Sequence, residues 1–186
     1  MQSSVFDLFE AGGVSYKGYM EAYPGNCAPD ESIGTYYRKH NPLISFNSIR
    51  NNATRCAKIV NSAEFDTDLD AGTLPNWSYY TPDINNDGHN TNVKYAGQWL
   101  DSFLQPRLSK FPAGTLIVLS WDEDDYTEQN QILVSLLDPQ GSIFTAGTKD
   151  KRPYNHYSLL ATIERNWALP NLGREDATAS VFVFTD

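Results

Sequence analysis

The sequence predicts an α/β protein, and two stretches carry that reading. Residues 115–125 read TLIVLSWDEDD, where Leu116, Ile117, Val118, Leu119 and the small Ser120 follow one another without polar alternation. Such a run suits a strand buried on both faces, so it is expected at the centre of a covered sheet. Directly ahead of it, in residues 93–111, Val93, Ala96, Trp99 or Leu100, Phe103, Leu104 and Leu108 recur at three- and four-residue spacing. This is the apolar stripe of a helix lying on a sheet, and helix followed by buried strand makes an α/β unit.

The remaining elements follow in chain order. Residues 4–12 read as a short helix with Ser3 or Ser4 as N-cap, Val5, Leu8 and Phe9 on one side, and Gly12-Gly13 as the stop. Val14, Tyr16, Tyr19 and Met20 suggest a strand. Residues 21–34, with Pro24, Gly25, Pro29 and Gly34, have loop composition and contain Cys27. YYRKHNP, residues 36–42, is an aromatic and basic cluster in which Pro42 pushes Asn41 out of helix. Residues 46–60 suit one or two short helices, 64–73 an acidic segment helical at its start, and 77–81 a short aromatic strand.

Pro82 opens the loop DINNDGHN, residues 83–90. Asp83, Asn85, Asp87 and Gly88 match positions 1, 3, 5 and 6 of a calcium-binding loop, but position 12 is Lys94, which cannot supply the closing bidentate carboxylate. In the helix of residues 93–111, Pro106 is expected to kink the last turn. QILVSLL, residues 131–137, is a further apolar strand, and residues 139–152 are loop. A helix over 159–167 is capped by Asn155 or by Tyr157-Ser158; Glu164 stands six residues past Ser158, so no capping box is expected. Residues 181–184 read as an edge strand.

At 186 residues the chain suits a single domain with its own core. With 14 basic and 23 acidic residues its net charge is −9, and no basic stripe interrupts that balance. Nucleic acid and anionic membrane are therefore not the expected partners. No apolar run approaches the roughly 20 residues of a membrane span, and residues 1–10 have neither the basic nor the apolar region of a signal peptide. Cys27 and Cys56 are the only cysteines; a lone pair without CxxC spacing suits a disulfide or two buried thiols better than a metal site. Asn52-Ala53-Thr54 and Asn76-Trp77-Ser78 are N-glycosylation acceptors in pattern. Cysteines, acceptors and acidity together point to a secreted protein.

The chemistry concentrates at the end of the apolar run. Asp122, Glu123, Asp124 and Asp125 follow one another where an open α/β sheet presents its ligand crevice. Crowded carboxylates repel unless a cation sits among them, and a divalent ion that takes oxygen ligands is the expected solution.

KHNPLISF (39–46), NNDGHN (85–90), LIVLSWDEDD (116–125) and NHYSLLATIERNWALPNLGR (155–174) resemble, in order and spacing, the phosphoesterase family of fungal secreted acid phosphatases and bacterial phospholipases C. The resemblance implies an alkaline-phosphatase-like α/β/α sandwich that hydrolyses phosphate esters through a covalent phosphoenzyme with one divalent metal ion. It makes Asp122 and Glu123 metal ligands. His89 becomes a donor to a phosphate oxygen or the acid for the leaving alcohol, and Lys39 and His40 face the phosphate. His156 is read as structural, holding the start of the last helix. In that family the nucleophilic hydroxyl and a Glu-Asn pair precede the first of these motifs, so residues 1–186 are expected to form the C-terminal portion of one phosphoesterase domain. The implied substrate is a small phosphate ester or a phospholipid head group. The alternatives are an inactive remnant that binds phosphate or metal without turnover, and a calcium module built on the Asp83 loop.

Overall fold

The computed structural model describes residues 3–124, 126 and 129–184, and the chain divides into two units, 1–107 and 108–186. The architecture is α/β. In the first unit a parallel sheet of three strands has the order β4-β1-β5, built from β1 (Tyr16–Met20), β4 (Ile59–Asn61) and β5 (Trp77–Thr81). β1 occupies the centre because both of its faces bury rings: Tyr16, Tyr19 and Met20 are all at most 3% exposed.

Alternation along β1 sorts the helices to the two faces. Helix α1 (Val5–Ala11) starts at Ser4, whose N–H and Oγ both donate to Asp7 Oδ2, at 2.8 and 2.9 Å. It lays Phe6 on Tyr16 and Phe9 on Trp77, each pair with ring centroids 5.3 Å apart. Tyr16 and Trp77 are register partners and share that face. Tyr19 and Tyr80 are partners on the opposite face. There Phe65 of α4 (Ala63–Ala71) meets Tyr19 at 5.1 Å, and Phe103 of α5 (Val93–Leu104) meets Tyr80 at 4.4 Å. Each such side chain contributes about 1.5–3 kcal/mol on burial.

Around this sheet, β2 (Ser32–Ile33) and β3 (Tyr36–Tyr37) form a short antiparallel pair, and α2 (Asn47–Arg50) and α3 (Ala53–Cys56) are single turns. Cys27 and Cys56 are joined in a disulfide that ties the 21–34 loop to α3. Asn52 and Asn76 are exposed, and each uses Oδ1 as an acceptor: Asn52 for the N–H of Arg55, Asn76 for the N–H and hydroxyl of Ser15. Gly18 is required by close packing. A Cβ there would lie 2.9 Å from Met20 Cε and 3.1 Å from Leu43 Cδ2, so glycine lets the fully buried Leu43 seat its turn on β1.

The second unit departs from expectation. Residues 117–120 do form a strand, β6 (Ile117–Ser120), but it pairs antiparallel with β7 (Val134–Leu137) in a two-stranded ribbon of their own. No residue of β6 is buried: three are half-buried and Ser120 is exposed. The central strand of the three-stranded sheet is β1, and among the described residues β6 pairs only with β7. An apolar run shows that both faces touch something, yet it cannot count neighbouring strands. The most buried strand is β1, YKGYM, with two tyrosines.

Three boundaries also move. Helix α5 stops at Leu104 rather than kinking near Pro106, because that proline lacks the N–H that another turn would use. Helix α6 (His156–Asn166) does carry a capping box, from Asn155 to Ser158: Asn155 N–H donates to Ser158 Oγ and Asn155 Oδ1 accepts from Tyr157 N–H. The reciprocal partner is Ser158, three residues past the cap, and not an acidic residue such as Glu164. Residues 181–184 are not a strand; the N–H of Phe182 donates to Thr162 Oγ1 of α6 at 2.9 Å.

Candidate functional site

The carboxyl ends of β1 and β5 stand side by side, at Met20 and Thr81. Ligand crevices of open α/β sheets form at such ends. Glu21, next along the chain, builds one wall. Its N–H donates to Thr81 O at 3.0 Å, while its Oε2 accepts from Asp83 N–H and Asn86 Nδ2, both at 2.8 Å. The loop beyond Pro82 is closed by its own bonds. Asp83 Oδ1 accepts from the N–H groups of Asn85 and Asn86, Thr91 Oγ1 donates to Asn85 O at 2.6 Å, and buried Ile84 anchors the base. Gly88 takes a φ of +97°, a left-handed bend that glycine adopts without a Cβ penalty, and this turns His89 outward.

The facing wall is the 3-10 turn Arg38–His40. Asn41, fully buried, holds it: Nδ2 donates to Tyr36 Oη at 3.1 Å and Oδ1 accepts from Ile44 N–H at 3.3 Å. Pro42 and Leu43 then carry the chain onto Gly18.

Between these walls Lys39, His40 and His89 come together. Lys39 Nζ lies 2.9 Å from His89 Nε2, and His89 Nδ1 lies 2.9 Å from Asn90 Oδ1. An ammonium has only donors, so Nε2 accepts from it and Nδ1 carries the imidazole proton toward Asn90. His40 Nδ1 lies 2.8 Å from Asp87 Oδ2, and the two imidazole rings are 5.5 Å apart. Lys39 and His89 are exposed and His40 is half-buried. The loop's carboxylates are committed to protein donors: Asp87 Oδ1 accepts from His89 N–H at 2.8 Å.

The second unit holds the acidic residues in an open cavity of about 520 Å³, lined by Asp122, Glu123, Asp124, Tyr126, Gln129, Asn130 and His156. Asp124 closes the turn there, its two carboxylate oxygens accepting from Tyr126 N–H at 2.8 Å and Asn130 N–H at 2.9 Å. Asp122 and Glu123 are exposed, and Asp125, the fourth acid of the run, lies outside the described residues. His156 Nε2 donates to the carbonyl oxygen of Asp122 at 2.6 Å, which fixes the first residue of α6 against the strand end. His156 thus holds its helix in place and also stands in the acidic cavity, where sequence reasoning did not place it. Among the described residues no group of three or more His, Cys, Asp or Glu could hold a metal ion. Two carboxylates fall short of the six to eight oxygens of calcium or the four ligands of zinc. These residues alone do not fit a complete metal shell.

Comparison with known proteins places the chain. The model of the phosphoesterase family matches residues 1–129. The chain belongs to the phosphoesterase family. It is 40% identical over 189 residues to a probable acid phosphatase of Kluyveromyces lactis, an alignment covering 96% of this chain and 45% of the relative. With an acid phosphatase of Aspergillus fumigatus the identity is 38%, over 96% of this chain and 42% of the relative. A phosphatidylinositol-3-phosphatase of Mycobacterium tuberculosis is 28% identical over 162 residues, 87% of this chain and 51% of its own. The chain therefore spans about half the length of these relatives. Helix α6 and His156 lie beyond the family match, yet inside the alignments that cover 96% of the chain. No helix among the described residues is long and apolar enough to cross a membrane.

The other unforeseen site residue is Asp87. Its place two residues ahead of His89 was readable in NNDGHN, but its pairing with His40 joins positions 47 apart in sequence.

Proposed function

We propose that this chain supplies the phosphate-binding face, and two of the metal ligands, of a secreted hydrolase of phosphate esters with an alkaline-phosphatase-like α/β/α sandwich. The supporting observation is the convergence of Lys39, His40 and His89 at the carboxyl ends of parallel strands. A phosphate oxygen entering between Lys39 and His89 takes the ammonium's hydrogen bond in place of Nε2. Nε2, so released, can take up a proton and then donate it to a phosphate oxygen or to the leaving alcohol, as the P–O bond to that alcohol breaks and the phosphoryl group passes to the nucleophilic hydroxyl that the family resemblance implies. His40 turns its Nε2 toward another oxygen, accepting from it where that oxygen is protonated and donating to it where both ring nitrogens carry protons. Asp122 and Glu123 act as a half-site for one divalent ion, which supplies charge neutralisation when its shell is complete. Asn52 and Asn76 carry glycans in this reading. The substrate is a small phosphate ester, with a phospholipid head group as the second class.

A second reading, phosphate binding by this chain without turnover, is favoured by the incomplete set of metal ligands. Release of p-nitrophenol from p-nitrophenyl phosphate, with and without Mg²⁺, Ca²⁺ or Zn²⁺, separates the two. Metal-stimulated release that falls to background in the Asp122→Asn, Glu123→Gln double variant supports the first reading. Phosphate binding without release supports the second reading, and neither binding nor release overturns both.

A further inference from the structure

One carboxylate reaches both histidines. Asp87 Oδ2 lies 2.8 Å from His40 Nδ1, and Asp87 Oδ1 accepts the backbone N–H of His89 at 2.8 Å. Asp87 is itself held, its N–H donating to Asp83 O at 3.0 Å within a loop that Glu21 ties to the end of β1. The two histidines belong to different segments: His40 ends a 3-10 turn, while His89 follows the left-handed Gly88.

We propose that Asp87 is the positioning residue of this site: it fixes the proton of His40 on Nδ1, leaving Nε2 to face the ligand, and it fixes the backbone from which His89 projects. The proposal rests on the phosphate-site reading for its function, but not for its geometry. A carboxylate that accepts from Nδ1–H selects one of the two neutral tautomers, because the nitrogen left over is then the acceptor or the proton carrier. The other oxygen keeps the His89 peptide oriented, so the turn and the loop are joined through a single side chain. An asparagine of the same shape has only one acceptor oxygen. It can serve the His40 ring or the His89 N–H, not both. An alanine serves neither.

The experiment reads tautomers first and binding second. In ¹⁵N-labelled wild type at about pH 8, where a free imidazole is neutral, long-range ¹H–¹⁵N correlation spectra should show His40 protonated at Nδ1. In Asp87→Asn and Asp87→Ala that signature should give way to a mixture with the Nε2–H form. Affinity for inorganic phosphate should fall roughly tenfold in the asparagine variant and further in the alanine variant, with the far-ultraviolet spectrum unchanged. A merely structural role would move stability and leave the tautomer alone. Wild-type His40 protonated at Nε2 and not at Nδ1 overturns the proposal, and so does an Asp87→Ala protein that keeps the Nδ1–H form. If the wild type shows the expected tautomer but binds no phosphate, the positioning stands and the phosphate-site reading falls.

Discussion

The two units are built on different interactions. In the first, the buried side chains are mostly rings and aliphatic groups: Phe6, Phe9, Tyr16, Tyr19, Leu43, Ile44 and Ile49 among them. In the second, the buried apolar side chains among the described residues are Phe111 and Ala161, beside the polar Ser158, Thr162, Glu164 and Asp176. Apolar burial is indifferent to pH, whereas buried carboxylates are not. The difference teaches that the basic site rests on an apolar core whose acid-sensitive groups, Asp7, Glu10 and Asp68, are ion-paired with Arg55, Lys58 and Lys17, while the acidic cavity belongs to a unit that buries a carboxyl pair.

The largest effect that can break this comparison is loss of a ring from the first core. Phe9 is fully buried and packs on Trp77 and Tyr16. Phe9→Ala should destabilise the first unit by about 3–5 kcal/mol. In amide hydrogen exchange, peptides of β1 and β5 should lose protection while α6 keeps its own. Equal loss in α6 would show that the two units share one cooperative core.

A smaller effect sharpens it. Glu164 on α6 is 4% exposed, and Asp176, on the 3-10 turn Glu175–Ala177, is 3% exposed. Burial, together with the adjacent Asp176, pushes the Glu164 carboxyl up to about 7. Asp176 moves the other way: burial alone would raise it, but the N–H groups of Leu172 and Arg174 hold it below its ordinary value. The proton of the pair thus sits on Glu164. The other charged groups on the two packed elements and the turn between them are His156, Arg165, Arg174 and Glu175. Because Glu164 is raised in the folded state, its contribution is complete below its ordinary value of 4.5 and is lost as pH climbs through about 7. That contribution is on the order of 3 kcal/mol at most. Asp176 works in a separate window, losing its contribution only as pH falls below 3.8. Urea unfolding of the second unit should weaken from pH 5 to about pH 8 in the wild type and stay flat in Glu164→Gln. An identical slope in the variant would remove Glu164 from the account.

The Lys39, His40 and His89 cluster is more legible in the sequence than the sheet is. The three stand out by their chemistry within two short motifs, and the fold brings them together because each motif adjoins a feature with a local cause. One is the buried Asn41 and Pro42 turn; the other is the Asx-type loop at Asp83. The sheet was misjudged because β1 reads YKGYM, where tyrosines with polar tips and a glycine hide the most buried strand, while the plainly apolar Leu116 to Leu119 run builds only a ribbon. Tyr19 shows why: its ring is fully buried, yet its hydroxyl reaches Asp68 Oδ2 at 2.6 Å beside Lys17. The Asp87–His40 pair and the Asp122–His156 contact join residues far apart in sequence, and no local pattern announces them.

The central claim is that the first unit carries a phosphate site at the ends of its parallel strands, and calorimetric titration with inorganic phosphate tests it most directly. Wild-type protein should bind saturably, with affinity that falls as salt rises, and Lys39→Ala and His89→Ala should each weaken it by about tenfold or more. Binding that is absent in the wild type, or unchanged in both variants, would contradict the account.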